Sequence, residues 1–334
     1  MIMSKTELAA SQTRKSRSVT LQWRDQVPAL IADAGDDAIK RFVEFFAAQI
    51  RNRNTREAYA RAAHEFLTWC NNNGIDELID IEPIHVAAWV ELKMQTMAAP
   101  SVKQKLAGLR QLFDWLVVGQ ILRFNPTAAV KSPKHSYKKG KTPILSADEA
   151  RSLLNSIDTT KLIGLRDRAL IALMTYGFVR VSAALNMKVK DVYPKRNRLW
   201  IRLHEKGGVE HDIPCHHNLE TYLLEYIEMA SLPDDPNNFL FRTIAQNGLV
   251  KQNGLNRRNA LDMVQRRAKK AGILTPGICN HTFRGTGITA YLENPGSKLE
   301  HAQQIAAHAN SKTTQLYDRR DEEISLDEVE RIGI

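Results

Sequence analysis

Apolar positions recur at helical spacing through the first third of the chain. Over residues 38–50, Ile39, Phe42, Val43, Phe46 and Ile50 fall on one stripe, which predicts a helix with one face in a core. A second stripe of Tyr59, Ala62, Ala63, Phe66, Leu67 and Cys70 begins near Asn54-Thr55 and stops at Asn73-Gly74, a start and a stop signal. A third helix is expected over residues 84–94. A fourth follows Pro100-Ser101, with Leu106, Leu109, Leu112, Phe113 and Leu116 facing inward. Residues 37–130 therefore read as a helical domain, and residues 1–36, with no comparable apolar pattern, as a flexible segment.

The pattern then breaks. Residues 131–143 (KSPKHSYKKGKTP) hold Lys131, Lys134, Lys138, Lys139 and Lys141, two prolines and a glycine, the composition of an extended basic linker. A second domain, residues 144–323, opens at Ser146-x-x-Glu149, where each side chain can satisfy a free amide at a helix start. An apolar helix over residues 165–176 ends at Gly177. Leu199, Ile201 and Leu203 alternate with polar residues, and Gly207-Gly208 precede residues 209–213, which predicts a β-hairpin whose turn has two residues or more. Helices are expected from there to the end. The last is a short one over residues 325–332, opened by Ser325-x-x-Glu328 and striped by Leu326, Val329 and Ile332. The architecture expected is mainly α with a small β component: a helical domain joined to a mixed α+β domain.

Charge narrows the class of partner. Lys and Arg number 47 against 37 acids, a net charge of +10, and such a surplus favours polyanions, nucleic acid first among them. The three cysteines, Cys70, Cys215 and Cys279, are odd in number and far apart, which excludes a disulfide framework and fits a reducing compartment. Cys215-His216-His217 lacks partner ligands at metal-binding spacing, so no metal is assigned. No uncharged run reaches the roughly 18 residues of a spanning helix. Residues 4–18 lack the apolar core of a secretory signal. The expectation is a cytoplasmic, nucleoid-associated protein without a membrane partner.

Six residues of the second domain carry the chemistry: Arg180, Lys206, His281, Arg284, His308 and Tyr317. Each alone has a bland reading, as surface charge, turn decoration or packing. Their order and surroundings change that. GLRDRALIALMTYGFVRVSAAL from Gly164, HEKGG around Lys206, HTFRGTGITAYLE from His281 and IAAHANSKTTQLY ending at Tyr317 together resemble the motifs of the tyrosine site-specific recombinases, the phage-type integrases. Tyr317 lies nine positions after His308, the spacing usual in that family. Residues 37–130 resemble its SAM-like core-binding domain, which the family joins to the catalytic domain as a C-shaped clamp on DNA.

The resemblance implies strand cleavage by Tyr317, leaving a 3′-phosphotyrosine and a free 5′-hydroxyl. Attack on phosphorus builds negative charge on the non-bridging oxygens, which the paired N–H groups of Arg180 and Arg284 suit. His281, three residues from Arg284 and so on the same helix face, is placed to manage the phenol proton. His308 adds a hydrogen bond to phosphate, and Lys206 protonates the departing oxygen. The covalent link conserves the ester energy, so no cofactor is expected.

Three positions depart from the family pattern. Ala183 stands where an acid usually supports the site, Ala307 where glycine is usual, and Gly285 where histidine is frequent.

Residues 256–271 (NRRNALDMVQRRAKKA) form a basic helix whose Arg257, Arg258, Arg266 and Arg267 are candidate DNA contacts, as are Thr55, Arg56 and Arg61 in the first domain and the linker lysines. The expected partner is duplex DNA with inverted-repeat sites, engaged by a homotetramer across two sites that is weakly associated or monomeric off DNA. Accessory proteins are compatible with this reading. Residues 324–334 either exchange onto a neighbouring protomer, as the resemblance implies, or pack on their own domain. The rival readings are a type IB topoisomerase-like enzyme and a catalytically weak DNA-binding regulator derived from a recombinase.

Overall fold

A computed structural model describes residues 27–135, 140, 142–205, 208–318 and 330–332. The chain divides into two compact units, residues 1–136 and 137–334. Among the described residues no helix is long and apolar enough to cross a membrane.

Among the described residues the elements of the first unit are all helical: α1 (Ala29–Asp33), α2 (Asp36–Glu44) running into a π turn (Phe45–Gln49), α3 (Arg53–Asn72), α4 (Pro83–Thr96) and α5 (Ala99–Val118). Asn52 opens α3 by accepting the Thr55 amide at 3.2 Å, satisfying one of the donors a helix start leaves free. The stripes expected for α3 and α5 meet in the core. There Phe66 stands edge-on to Trp89 and Phe113, with ring centroids 5.3 and 6.1 Å apart. The flexible segment expected as far as residue 36 is corrected at its end. Leu30 and Ile31 of α1 are buried in this core. A run of four apolar residues after Pro28 is too short to show a period, so only packing reveals it.

The second unit is built around α7 (Leu162–Tyr176), buried on nearly every side, with α6 (Ala147–Asn155), α9 (His217–Met229) and α11 (Asn280–Glu293) packed on it. The box at the start of α6 forms as expected: Glu149 N donates to Ser146 Oγ at 3.1 Å and Ser146 N to Glu149 Oε2 at 2.8 Å. Strands β2 (Arg198–His204) and β3 (Glu210–Pro214) make the expected hairpin. Five residues of the chain lie between the two strands, more than the minimal two. Two elements went unanticipated. Strand β1 (Val192–Lys195) pairs with β2 to complete an antiparallel sheet, and β4 (Arg242–Ile244) with β5 (Val250–Gly254) forms a second hairpin where helices were expected. Both involve strands too short or too polar to alternate visibly. The remaining helices are α8 (Val181–Asn186), α10 (Arg257–Lys270), α12 (Leu299–Ile305) and α13 (Ser311–Gln315). Most of the C-terminal helix expected over residues 325–332 lies outside the described residues.

A buried ion-pair network joins α7 to α10. Asp167, fully buried, accepts from Arg166 Nη2 at 2.6 Å and from Arg267 Nη2 and Nε at 2.7 and 3.0 Å. Arg267 is thereby withdrawn from the exposed face on which its charge had placed it. A buried carboxylate needs charged donors more than the surface needs one further arginine.

Candidate active site

Arg180 emerges where a buried helix ends. The helix α7 stops at Gly177, Phe178 takes a left-handed φ of 51°, and Arg180 becomes the cap residue of α8. The turn carries the arginine out of the core, leaving its side chain 31% exposed with Nη1 2.5 Å from Glu205 Oε2. His281 and Arg284 lie in the first turns of α11. That helix meets α7 through Gly287, where an added Cβ would fall 1.9 Å from the Thr175 carbonyl oxygen, so only glycine allows the approach.

Arg284 is wholly covered. Its Nη1 donates to the Phe178 carbonyl and its Nη2 to the Ala306 carbonyl, the latter at 2.6 Å. Its Nε–H has no partner among the described residues. One catalytic candidate is thus tied to the loop that presents the other, two residues before Arg180.

His308 and Tyr317 come from the short elements that follow. After α12 the chain turns at Ala307, with φ 45°, and the His308 amide donates to Gln303 O at 3.1 Å. Nδ1 of His308 lies 2.9 Å from the buried hydroxyl of Thr314 in α13, and the Tyr317 amide donates to Thr314 O at 3.0 Å. Thr289 of α11 donates its hydroxyl to Tyr317 O at 3.0 Å. These contacts deliver the phenol oxygen of Tyr317 to 2.6 Å from His281 Nε2. Gly285 makes room for the ring, since a Cβ there would stand 3.3 Å from Tyr317 Cε1.

The electrostatics follow from burial among cations. Desolvation, then the charges of Arg284, Arg180 and Arg257, holds His281 below the ordinary imidazole value, although much of the side chain stays exposed. His308 is pushed down to about 3, by burial and then by Arg284 and Arg180. Burial raises the Tyr317 phenol, partly offset by both arginines. Burial and the neighbouring Arg180 lower Arg284 to about 10, where it still carries its charge at neutral pH. Two neutral imidazoles, a protonated phenol and two guanidiniums therefore share one site. That set can take a proton from the phenol and receive an anion.

Five of the six expected residues, Arg180, His281, Arg284, His308 and Tyr317, are brought together. Lys206 lies outside the described residues. Beside the cluster is a cavity of about 570 Å³ lined by Arg180, Arg257, Arg258, Leu261, Asn280 and His281. Among the described residues no group of three or more His, Cys, Asp and Glu could hold a metal ion.

The candidate DNA contacts divide. Arg61, Lys131, Lys134, Arg257, Arg258 and Arg266 are exposed. Thr55 is a half-buried residue of the α3 cap, and Arg56 commits Nε and Nη2 to the Ile50 carbonyl at 3.0 and 2.9 Å. Arg267 is internal, as described above. Lys138, Lys139 and Lys141 lie outside the described residues. The motifs did not point to Glu205 or Thr314. A carboxylate or hydroxyl carries no local mark of the side chain it will meet across a fold.

Guanidinium groups, neutral imidazoles and a phenol converging in an α+β domain, with a helical domain ahead of it, define an enzyme class that transfers DNA strands through tyrosine. The comparisons with known proteins agree. Residues 143–323 match the phage integrase family and residues 39–119 its N-terminal SAM-like domain. The chain belongs to the phage integrase family, the tyrosine recombinases, enzymes that break and rejoin DNA.

It is 29% identical over 291 residues to a tyrosine recombinase XerD of Listeria monocytogenes serovar 1/2a, covering 84% of this chain and 93% of that protein. It is 27% identical over 268 residues to a tyrosine recombinase XerC of Escherichia coli O127:H6, covering 79% and 84%. In fold it resembles the XerH site-specific recombinase bound to a palindromic difH substrate in a post-cleavage complex, with TM-score 0.69, 18% identity and coverage of 95% and 94%. It likewise resembles a lambda integrase dimer bound to a COC′ core site, with TM-score 0.64, 17% identity and coverage of 86% and 96%.

Proposed function

We propose that this enzyme performs conservative site-specific recombination, cutting each strand through a 3′-phosphotyrosyl link at Tyr317 and rejoining it to a different partner. The observation that carries the reading is the 2.6 Å contact between Tyr317 Oη and His281 Nε2, within the influence of two guanidiniums. A neutral imidazole accepts the phenol hydrogen as the oxygen attacks phosphorus. Arg180 and Arg284 stabilise the charge that develops, a task for which one preorganised donor is typically worth about a hundredfold or more in rate. Lys206 protonates the leaving 5′-oxygen, and His308 hydrogen-bonds phosphate. Because Arg284 is covered and Tyr317 only 8% exposed, the site opens as the phosphate enters.

The substrate proposed is duplex DNA with inverted-repeat sites, joined two at a time by a homotetramer that is weakly associated or monomeric off DNA. Solved relatives are bound to DNA, one of them as a tetramer on a Holliday junction. Exposed Arg257, Arg258, Arg266, Arg61, Lys131 and Lys134 suit phosphate contact, and Lys138, Lys139 and Lys141 extend the basic linker. The setting is the cytoplasm, at the nucleoid, with accessory proteins compatible.

The test begins by selecting bound repeats from random duplexes and rebuilding one with a nick beside the cleavage position. Wild type should accumulate a protein–DNA adduct on it, and Tyr317→Phe should bind without forming one. An adduct that survives in Tyr317→Phe would refute the assignment of the nucleophile. Relaxation of any plasmid with no dependence on the repeat would instead favour a topoisomerase.

A further inference from the structure

The acid that the family resemblance leads one to expect three residues after the first arginine is absent, for Ala183 is buried among apolar neighbours of the core. Arg180 nevertheless has a carboxylate. Glu205 stands at the end of β2, where its amide donates to Val209 O at 2.8 Å and closes the hairpin, and its side chain is only 4% exposed. Its Oε2 accepts from Arg180 Nη1 at 2.5 Å. The same carboxylate opposes the lowering of Arg284, so its field reaches both guanidiniums. A carboxylate buried this deeply needs a charged donor, and an arginine gripped on one N–H keeps its others in a fixed direction.

We propose that Glu205 is the positioning residue of Arg180, supplying from the hairpin the support that position 183 lacks. The inference rests on the strand-cleavage reading above. Glu205 directly precedes Lys206 in the chain, so the test must tell action through the arginine from action through the lysine. Glu205 itself touches no reacting atom.

The experiment separates action through Arg180 from action through Lys206 and from general damage to the hairpin. Three nicked duplexes are compared: one with an ordinary scissile phosphate, one with a methylphosphonate there, and one with a bridging 5′-sulfur. The methylphosphonate carries one negative charge fewer and asks less of the arginines. The thiolate leaves without an acid and asks nothing of the lysine. On the ordinary duplex Glu205→Ala should cleave about a hundredfold more slowly than wild type while binding the site equally, and Glu205→Gln, which keeps an acceptor for Arg180, should lose about tenfold.

On the methylphosphonate the Glu205→Ala deficit should shrink to below about tenfold, as it should for Arg180→Ala; on the sulfur duplex it should persist. Wild-type rates in Glu205→Ala, an equal deficit on all three duplexes, or relief by sulfur alone would each overturn the proposal. Should Glu205→Ala fail to fold, Glu205→Gln carries the comparison: its roughly tenfold deficit should shrink towards wild type on the methylphosphonate and persist on the sulfur duplex, and the opposite pattern would overturn the proposal. A wild type that forms no adduct on any duplex sinks the strand-cleavage reading, whereas a cleaving wild type matched by Glu205→Ala sinks only this one.

Discussion

Tyr317 Oη and His281 Nε2 lie 2.6 Å apart, close enough for the nucleophile to pass its proton directly to the imidazole. Only the neutral ring can accept it. Desolvation and the surrounding arginines hold His281 below the ordinary value of 6.5, so it is neutral at pH 7 and gains a proton only under more acidic conditions. Single-turnover cleavage should therefore be level through neutral pH and fall on acidification with a midpoint below 6.5. His281→Ala should lower the plateau about a hundredfold or more and remove that acid limb. A wild-type midpoint above 7 would contradict the role.

Thr314 is the only described partner of His308 Nδ1, at 2.9 Å, and it lies three residues before Tyr317. Thr314→Val keeps the shape and deletes the hydroxyl, leaving a buried ring nitrogen unpaired. The expected cost is about 1–3 kcal/mol of stability, read by denaturant unfolding. Cleavage should also slow with site binding unchanged, because the hydroxyl orients the imidazole. Unchanged stability and rate would show that the contact is incidental.

His308 also makes stability depend on pH in a definite direction. Its folded value is about 3, against the ordinary 6.5 in an unfolded chain. Between those limits the unfolded state binds a proton that the folded state does not, so this contribution is complete above about pH 6.5 and is lost as pH falls towards 3. Melting temperatures of His308→Gln should decline less steeply than wild type over that window. Parallel curves would place the acid sensitivity elsewhere.

Ala307 occupies the left-handed region, φ 45°, at the bend before His308. A Cβ there costs roughly 1–2 kcal/mol, while glycine loses about 0.4–1 kcal/mol through its freer unfolded chain. Ala307→Gly should thus stabilise by up to about 1.6 kcal/mol, seen as a higher denaturant midpoint at unchanged slope. A lower midpoint would mean the methyl makes compensating contacts.

Gly285 lies against the Tyr317 ring and Ile144, which are 3.3 and 3.1 Å from where a Cβ would stand. Gly285→Ala should displace the phenol by a few tenths of an ångström and slow adduct formation about tenfold or more, since cleavage depends on the distance to His281. Fluorescence anisotropy should show duplex binding intact. A variant that cleaves at the wild-type rate would mean that the ring shifts freely.

The chemistry of this protein was readable from sequence because phosphoryl transfer restricts which side chains can serve and the family holds them in order. Arg180, His281, Arg284, His308 and Tyr317 each sit in a recognisable stretch, and five meet in space. The helices of both units were legible for a related reason: a face buried against a core must repeat every 3.6 residues, as in α3 and α5. Short elements escaped, since the five residues of α1 or the three of β4 barely exceed one period, too few for a pattern to repeat.

What tertiary structure alone decided is how charge and polarity pair. Arg267 reads as one more basic residue on a helix, yet folding sets it against Asp167, one hundred positions away. Glu205 reads as a polar residue at a turn, yet it closes on Arg180 across twenty-five positions. Periodicity is a property of neighbours along a chain. The partner of a buried charge is fixed by which segments the fold brings within 3 Å, and no local pattern records that distance.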